Sequence, residues 1–157
     1  MAETGISKDD AAVLAAKVYA LVSACPPGRV ATYGRLSTAI GYPRGARMVG
    51  WIMNALPERS NVPAQRVLNS KGELTGSWAF GQKGRMRRLL EAEGILFTPD
   101  GTVDLKRYGW DPNADLFQEE RIRLLEEAHM ASGEVSDYLM EKLHDDPASP
   151  FRISRKG

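Results

Sequence analysis

"TYGRLSTAIGYPRGARMVGWIMN", Thr32 to Asn54, is the stretch that decides the fold. Thr32 carries the side-chain oxygen needed to cap a helix through Tyr33, Leu36, Ala39 and Ile40, and Gly41 suits its end. After the turn "YPRG" a second helix is expected from Arg44 to Leu56. Its apolar positions Val49, Ile52, Met53 and Leu56 follow i, i+3, i+4, i+7 and should face the core. Arg44 and Arg47, three apart, should share the opposite side. Gly45, Ala46 and Gly50 keep the backbone there low and approachable. A short helix, a Gly-containing turn and a second helix with basic and small residues near its start form a helix-turn-helix signature. Two short helices that merely pack together would read the same way, and these residues alone leave both readings open.

Upstream, "SKDDAAVLAAKVYALVSA" (7–24) reads as a helix with Ser7 as N-cap and Asp9 and Asp10 in the first turn, where the helix dipole favours them. Val13, Leu14, Val18, Leu21 and Val22 supply its core stripe, and "CPPG" breaks it. Cys25 fits a small packed side chain, since no basic residue precedes Arg29 nearby. Val30 to Thr32 allows only a brief extended piece. Downstream, "VPAQRVLNSKG", Val62–Gly72, reads as a short strand and turn. A loop, "GELTGSWAFGQKG", leads to a helix in "RMRRLLEAEG" that Gly94 ends. "ILFTPDGTVDL" suggests a hairpin turned at Asp100-Gly101. Residues 114–131 read as one charged amphipathic helix with Leu116, Ile122, Leu125 and Ala128 inward, and a second short helix is expected from Glu134 to Leu143. The implied fold is mainly α with small β elements: a winged-helix-like helix-turn-helix domain over 1–110 and an acidic helical extension over 111–157.

The 157 residues suffice to bury a core, and 26% charged with 43% hydrophobic residues is ordinary for a globular protein. No apolar run approaches the roughly 20 residues that span a bilayer. The start, "MAETGISKDD", lacks the regions of a secretory signal. A single cysteine and two histidines, His129 and His144, argue against a disulfide, a zinc site or any other bound metal. No cofactor is expected, and a cytoplasmic location, nucleoid-associated when on DNA, follows. The net charge of +1 hides an asymmetry. Residues 28–107 hold 13 Lys/Arg against 6 Asp/Glu, whereas residues 108–157 hold 6 against 11. A basic centre beside an acidic tail points to a polyanion-binding domain whose tail stays off the polyanion, with a mixed surface as the plainer alternative.

With these pieces in order, "VATYGRLSTAIGYPRGARMVGWIMN", "VPAQRVLNSKGEL" and "LLEAEGI" resemble the C-terminal DNA-binding domain of O6-alkylguanine-DNA alkyltransferases. That family carries a YG-x-L-A helix, an A-R-x-V-G recognition helix and a P-C-H-R-V motif whose cysteine takes the alkyl group. The resemblance spans residues 12–97. Ala64 stands where the family has the acceptor cysteine, and Gln65 where it has the activating histidine. An alanine methyl has no lone pair and a glutamine amide takes no proton, so the family's self-alkylation has no route and no catalytic residue is expected. What remains resembles the alkyltransferase-like proteins, in which tryptophan commonly replaces the cysteine. These bind O6-alkylguanine and flag it for nucleotide excision repair. Ala64 departs from that subgroup too, leaving a small pocket floor.

The resemblance implies that Tyr33 presses on the phosphate side of a flipped nucleotide and that Arg47 fills the vacated stack. It also places the second helix in the minor groove, where small residues are required. Thr32, Tyr33, Arg44, Gly45, Ala46, Arg47, Gly50 and Ser70 are the expected DNA contacts. Tyr33, Met53, Ala64, Gln65, Val67, Ser77 and Trp78 are the expected lesion pocket. Trp78 could wall that pocket or pack against Leu90, Trp51 could face DNA or core, and Arg66 could serve structure or DNA. The expected partners are double-stranded DNA containing O6-alkylguanine and nucleotide excision repair proteins, with the chain acting as a monomer off the membrane. The main rival is a helix-turn-helix transcriptional regulator, which would need more base-edge readers than Asn54 and two arginines.

Overall fold

Ser7 opens the first helix as expected, its hydroxyl accepting the Asp10 N–H at 3.1 Å. Helix α1 then runs Lys8–Ala24. The structure is a computed structural model, which describes residues 7–56, 60–75 and 84–134. Helix α1 buries Ala11, Leu14, Ala15, Val18, Leu21 and Val22, while Val13 is only half-buried. The buried arc is shifted because α1 is packed against several helices, and it takes in Ala11 and Ala15. Among the described residues no helix is long and apolar enough to cross a membrane.

Strand β1 (Ala31–Thr32) follows, and Thr32 caps α2 (Tyr33–Ala39) by accepting the Arg35 N–H at 3.1 Å. Gly41, at φ +93°, ends that helix in a conformation that favours glycine. Helix α3 is Ala46–Asn54, shorter than expected at both ends. The Gly45 N–H is already bonded to the Tyr42 carbonyl at 2.9 Å, so Arg44 sits in a turn and shares no helical face with Arg47. Val49, Ile52 and Met53 do face the core.

Val62–Gly72 is not a simple strand. Ala64–Arg66 form a 3-10 turn, and only Val67–Leu68 are extended, as β2. Strand β2 pairs in parallel with β1, Ala31 opposite Val67 and Thr32 opposite Leu68. A bridge from Val30 to Gly109 widens this ribbon, with the Trp110 N–H donating to the Val30 carbonyl at 2.7 Å. The ribbon thereby ties together three segments far apart in sequence, and side chains from its two faces enter two cores. One core gathers α1, α2 and α3 with Val67 and Trp110. The other joins Val30, Leu68, Met86, Leu90, Ile95 and Val103.

Helix α4 (Arg85–Ala92) supplies Met86 and Leu90 to the second core, and Gly94 at φ +94° follows it. The hairpin at Asp100-Gly101 is present but minimal, a single antiparallel bridge between Phe97 and Val103. Asp104 then caps a one-turn helix, α5 (Leu105–Tyr108). The helix expected over 114–131 is two helices. Asp111 caps α6 (Pro112–Asp115), the chain extends at Leu116, and α7 runs Gln118–Met130. Packing against α1 turns Leu124 and Leu125 inward with Ala128, which leaves Ile122 46% exposed. Ser132–Glu134 form a 3-10 turn, and the rest of the helix expected from Glu134 lies outside the described residues.

Candidate nucleic-acid interface

Helix α3 carries two interleaved stripes. Val49, Ile52 and Met53 point into the core, while Arg47, Gly50, Trp51 and Asn54 recur at i, i+3, i+4, i+7 on the opposite side. Those four residues, with Ala46 and with Tyr33, Asn69 and Thr75 from neighbouring segments, line an open groove of about 410 Å³. Arg47 and Asn54 are exposed and Trp51 is half-buried. Arg47 has no hydrogen-bond or ion-pair partner among the described residues. Tyr33 is the first residue of α2, and its hydroxyl accepts from Thr75 Oγ1 at 3.3 Å.

The small residues of this helix differ in cause. A Cβ placed on Gly50 would meet nothing within 4 Å, so the fold itself does not require glycine there. A Cβ on Gly45 would lie 3.0 Å from Tyr42 Cβ and 3.2 Å from Met48 Cε. Gly45 is therefore small for the protein's own packing. Met48, larger than its neighbours, lies over that turn and leans on the core.

The other expected DNA contacts scatter. Thr32 is 5% exposed and its hydroxyl is engaged in capping α2. Arg44 is exposed in the turn before α3. Ser70 is exposed beside a second cavity of about 410 Å³, which Thr32, Arg35 and Thr38 also line. Of the expected pocket residues, Tyr33 lines the groove, whereas Met53 and Val67 are core residues at 5% and 1% exposure. Their burial follows from the α3 core stripe and from the inward face of β2. Ala64 is half-buried against the same core. Ser77 and Trp78 lie outside the described residues.

Gln65 and Arg66 turn toward Glu93, just beyond α4. Gln65 Nε2 donates to Glu93 Oε2 at 2.8 Å, and Arg66 Nε donates to Oε1 at 3.0 Å. The Gly28 N–H donates to Oε1 at 3.1 Å. Arg66 also reaches the Cys25 carbonyl at 2.8 Å, so its guanidinium is engaged within the protein. Burial would raise the Glu93 carboxyl, but the donors from Arg66, Gly28 and Gln65 outweigh it and hold it below the ordinary value. Nothing local marks Glu93 in the sequence. Cys25 is buried at the end of α1, and burial pushes its thiol up to about 12 despite nearby Arg66. At neutral pH it is a protonated thiol whose Sγ donates to the Arg29 carbonyl at 3.5 Å. The groove is thus lined by a cation, an indole ring and amide side chains, whereas the polar side chains of Gln65 and Arg66 are occupied by Glu93.

Residues 14–95 match the family model described as 6-O-methylguanine DNA methyltransferase, DNA binding domain. A DNA base-flipping protein of Escherichia coli (strain K12) is 40% identical over 95 residues, which cover 60% of this chain and 72% of that protein. Alkyltransferase-like protein 1 of Schizosaccharomyces pombe is 34% identical over 100 residues, 61% of this chain and 93% of that protein. Among solved structures, S. pombe Atl1 in complex with damaged DNA containing O6-carboxymethylguanine superposes with a TM-score of 0.56 at 36% identity, covering 63% of this chain and 95% of that one.

Proposed function

This chain belongs to the 6-O-methylguanine DNA methyltransferase DNA-binding-domain family, and on that premise we propose that it recognises O6-alkylguanine in duplex DNA by flipping the nucleotide, without removing the alkyl group. The observation that carries the reading is the α3 groove, with an arginine that has no partner among the described residues and with an open glycine. Flipping costs a few kcal/mol, and less for a damaged, poorly paired base, which supplies part of the selectivity. Arg47 is suited to fill the vacated stack, because its plane stacks while its donors reach the orphaned base. Tyr33, at the start of α2, lines the same groove, and this supports a role in bearing on the flipped nucleotide.

The chain is read as non-enzymatic. Ala64 has no atom that can attack an alkyl carbon, and the Gln65 amide donates to Glu93. A protein that holds a lesion and leaves it in place acts as a flag, and the partner class this implies is nucleotide excision repair proteins. The chain would meet DNA in the cytoplasm as a monomer. The names of its relatives give no support to the alternative of a transcriptional regulator.

The test is a pair of affinities for two duplexes of identical sequence, one with O6-methylguanine and one with guanine, by fluorescence anisotropy. A clear preference for the lesion is expected. Equal affinities would overturn the reading.

A further inference from the structure

The outward stripe of α3 does not stop at Arg47. Trp51 lies one turn further along and Asn54 nearly two, both on the groove wall. Trp51 is half-buried: it leans on the main core and also lines the open groove. Its indole N–H, a group that can only donate, has no hydrogen-bond partner among the described residues. Among the described residues the half-buried tyrosines have their hydroxyls satisfied. Tyr19 donates to the Ile52 carbonyl at 2.7 Å, Tyr108 accepts the Leu96 N–H at 3.1 Å, and Tyr33 pairs with Thr75. The two asparagines of the groove differ in the same way. Asn69 binds Glu73 Oε1 and accepts the Lys71 and Glu73 N–H groups, whereas the Asn54 amide has no partner among the described residues. Gly50, beside Trp51, leaves the approach to the ring open, since a side chain there would meet nothing.

We infer that Trp51 is a DNA-contacting, specificity-determining residue of this site, its indole stacking on a nucleotide next to the one displaced by Arg47, with Asn54 bonding the same strand. The inference rests on the reading above that α3 faces DNA. An aromatic platform beside an intercalating cation suits DNA because every base offers a π-face, and Arg47 alone provides no such wall. Trp51 would then favour sites where a neighbouring base is easily unstacked, which is a property of damaged duplexes.

The experiment measures binding of wild type, Trp51→Phe, Trp51→Ala and Asn54→Ala to both the O6-methylguanine duplex and its guanine counterpart, alongside tryptophan emission. Trp51→Ala should weaken lesion binding about tenfold, with Trp51→Phe retaining most of the affinity. DNA should quench the emission of wild type, and Trp51→Phe should lose that quenching. If Trp51→Ala proves unfolded by circular dichroism, the quenching difference between wild type and Trp51→Phe decides instead. Equal quenching in those two proteins, or a folded Trp51→Ala that binds like wild type, would overturn the inference. Should wild type bind both duplexes equally, lesion recognition fails, while the quenching comparison still judges the contact of Trp51 with DNA.

Discussion

Gln65 and Glu93 are joined by a 2.8 Å hydrogen bond across 28 positions of sequence. The same carboxylate takes Arg66 at 3.0 Å and the Gly28 N–H at 3.1 Å, so one acidic residue fastens the 3-10 turn, the α4 end and the loop after α1. The 3-10 turn that holds Ala64 and Gln65 is therefore fastened by a group that does not line the groove.

Glu93→Gln should destabilise the protein by about 1–3 kcal/mol, because Arg66 is left without its counter-charge in a mostly buried setting. The folded state lowers the Glu93 carboxyl below its ordinary 4.5, so the unfolded chain binds that proton more tightly. The contribution is complete above pH 4.5 and is lost as pH falls through the lower folded value. Urea midpoints measured across that acidic window should converge for wild type and Glu93→Gln. A gap that stays constant with pH would show that the charge is not what matters.

Arg47→Ala should weaken binding to O6-methylguanine duplexes by about tenfold or more, equivalent to about 1.4 kcal/mol. Arg85→Ala, on α4 rather than α3, should cost much less. Equal losses in a fluorescence titration would remove the special role of Arg47.

No alkyl group should move to the protein. Ala64 has no nucleophilic atom, and Cys25 is buried with its thiol pushed up to about 12. Mass spectrometry after incubation with excess O6-methylguanine DNA should find the mass unchanged. A methylated peptide containing Cys25 would refute this.

Gly72→Ala should destabilise the fold by about 2–4 kcal/mol. Gly72 has φ +76°, and a Cβ there would collide with the Val103 carbonyl oxygen, a backbone atom that cannot simply turn aside. The Gly72 carbonyl also accepts the Val103 N–H at 2.9 Å, so the turn and the hairpin after α4 are one unit. An unchanged denaturation midpoint would mean that the two segments are not held together.

Binding should weaken with salt by about 0.9 log units per log unit for each phosphate contact. A flat response in titrations from low to moderate salt would show that the basic centre is not the DNA face.

The sequence by itself determined what depends on neighbours along the chain. Ser7 and Thr32 cap because a hydroxyl reaches an N–H three residues on, whatever else the protein does. Gly41, Gly94 and Gly101 adopt positive φ because their turns require it locally. The lack of a nucleophile at Ala64 is likewise a matter of composition at one position, made legible by the motif around it. Tertiary structure decided the rest. It exposed Ile122 and turned Leu124 inward, because the helix expected over 114–131 is interrupted at Leu116 and α7 is seated on α1. It buried Val67 in the core, and it aimed the Gln65 amide at Glu93. It also put Trp51 in the groove, where helical spacing alone left core and DNA equally open. Periodicity tells which residues of a helix share a face, but only the packing of that helix against the others selects the face that water, or DNA, will meet.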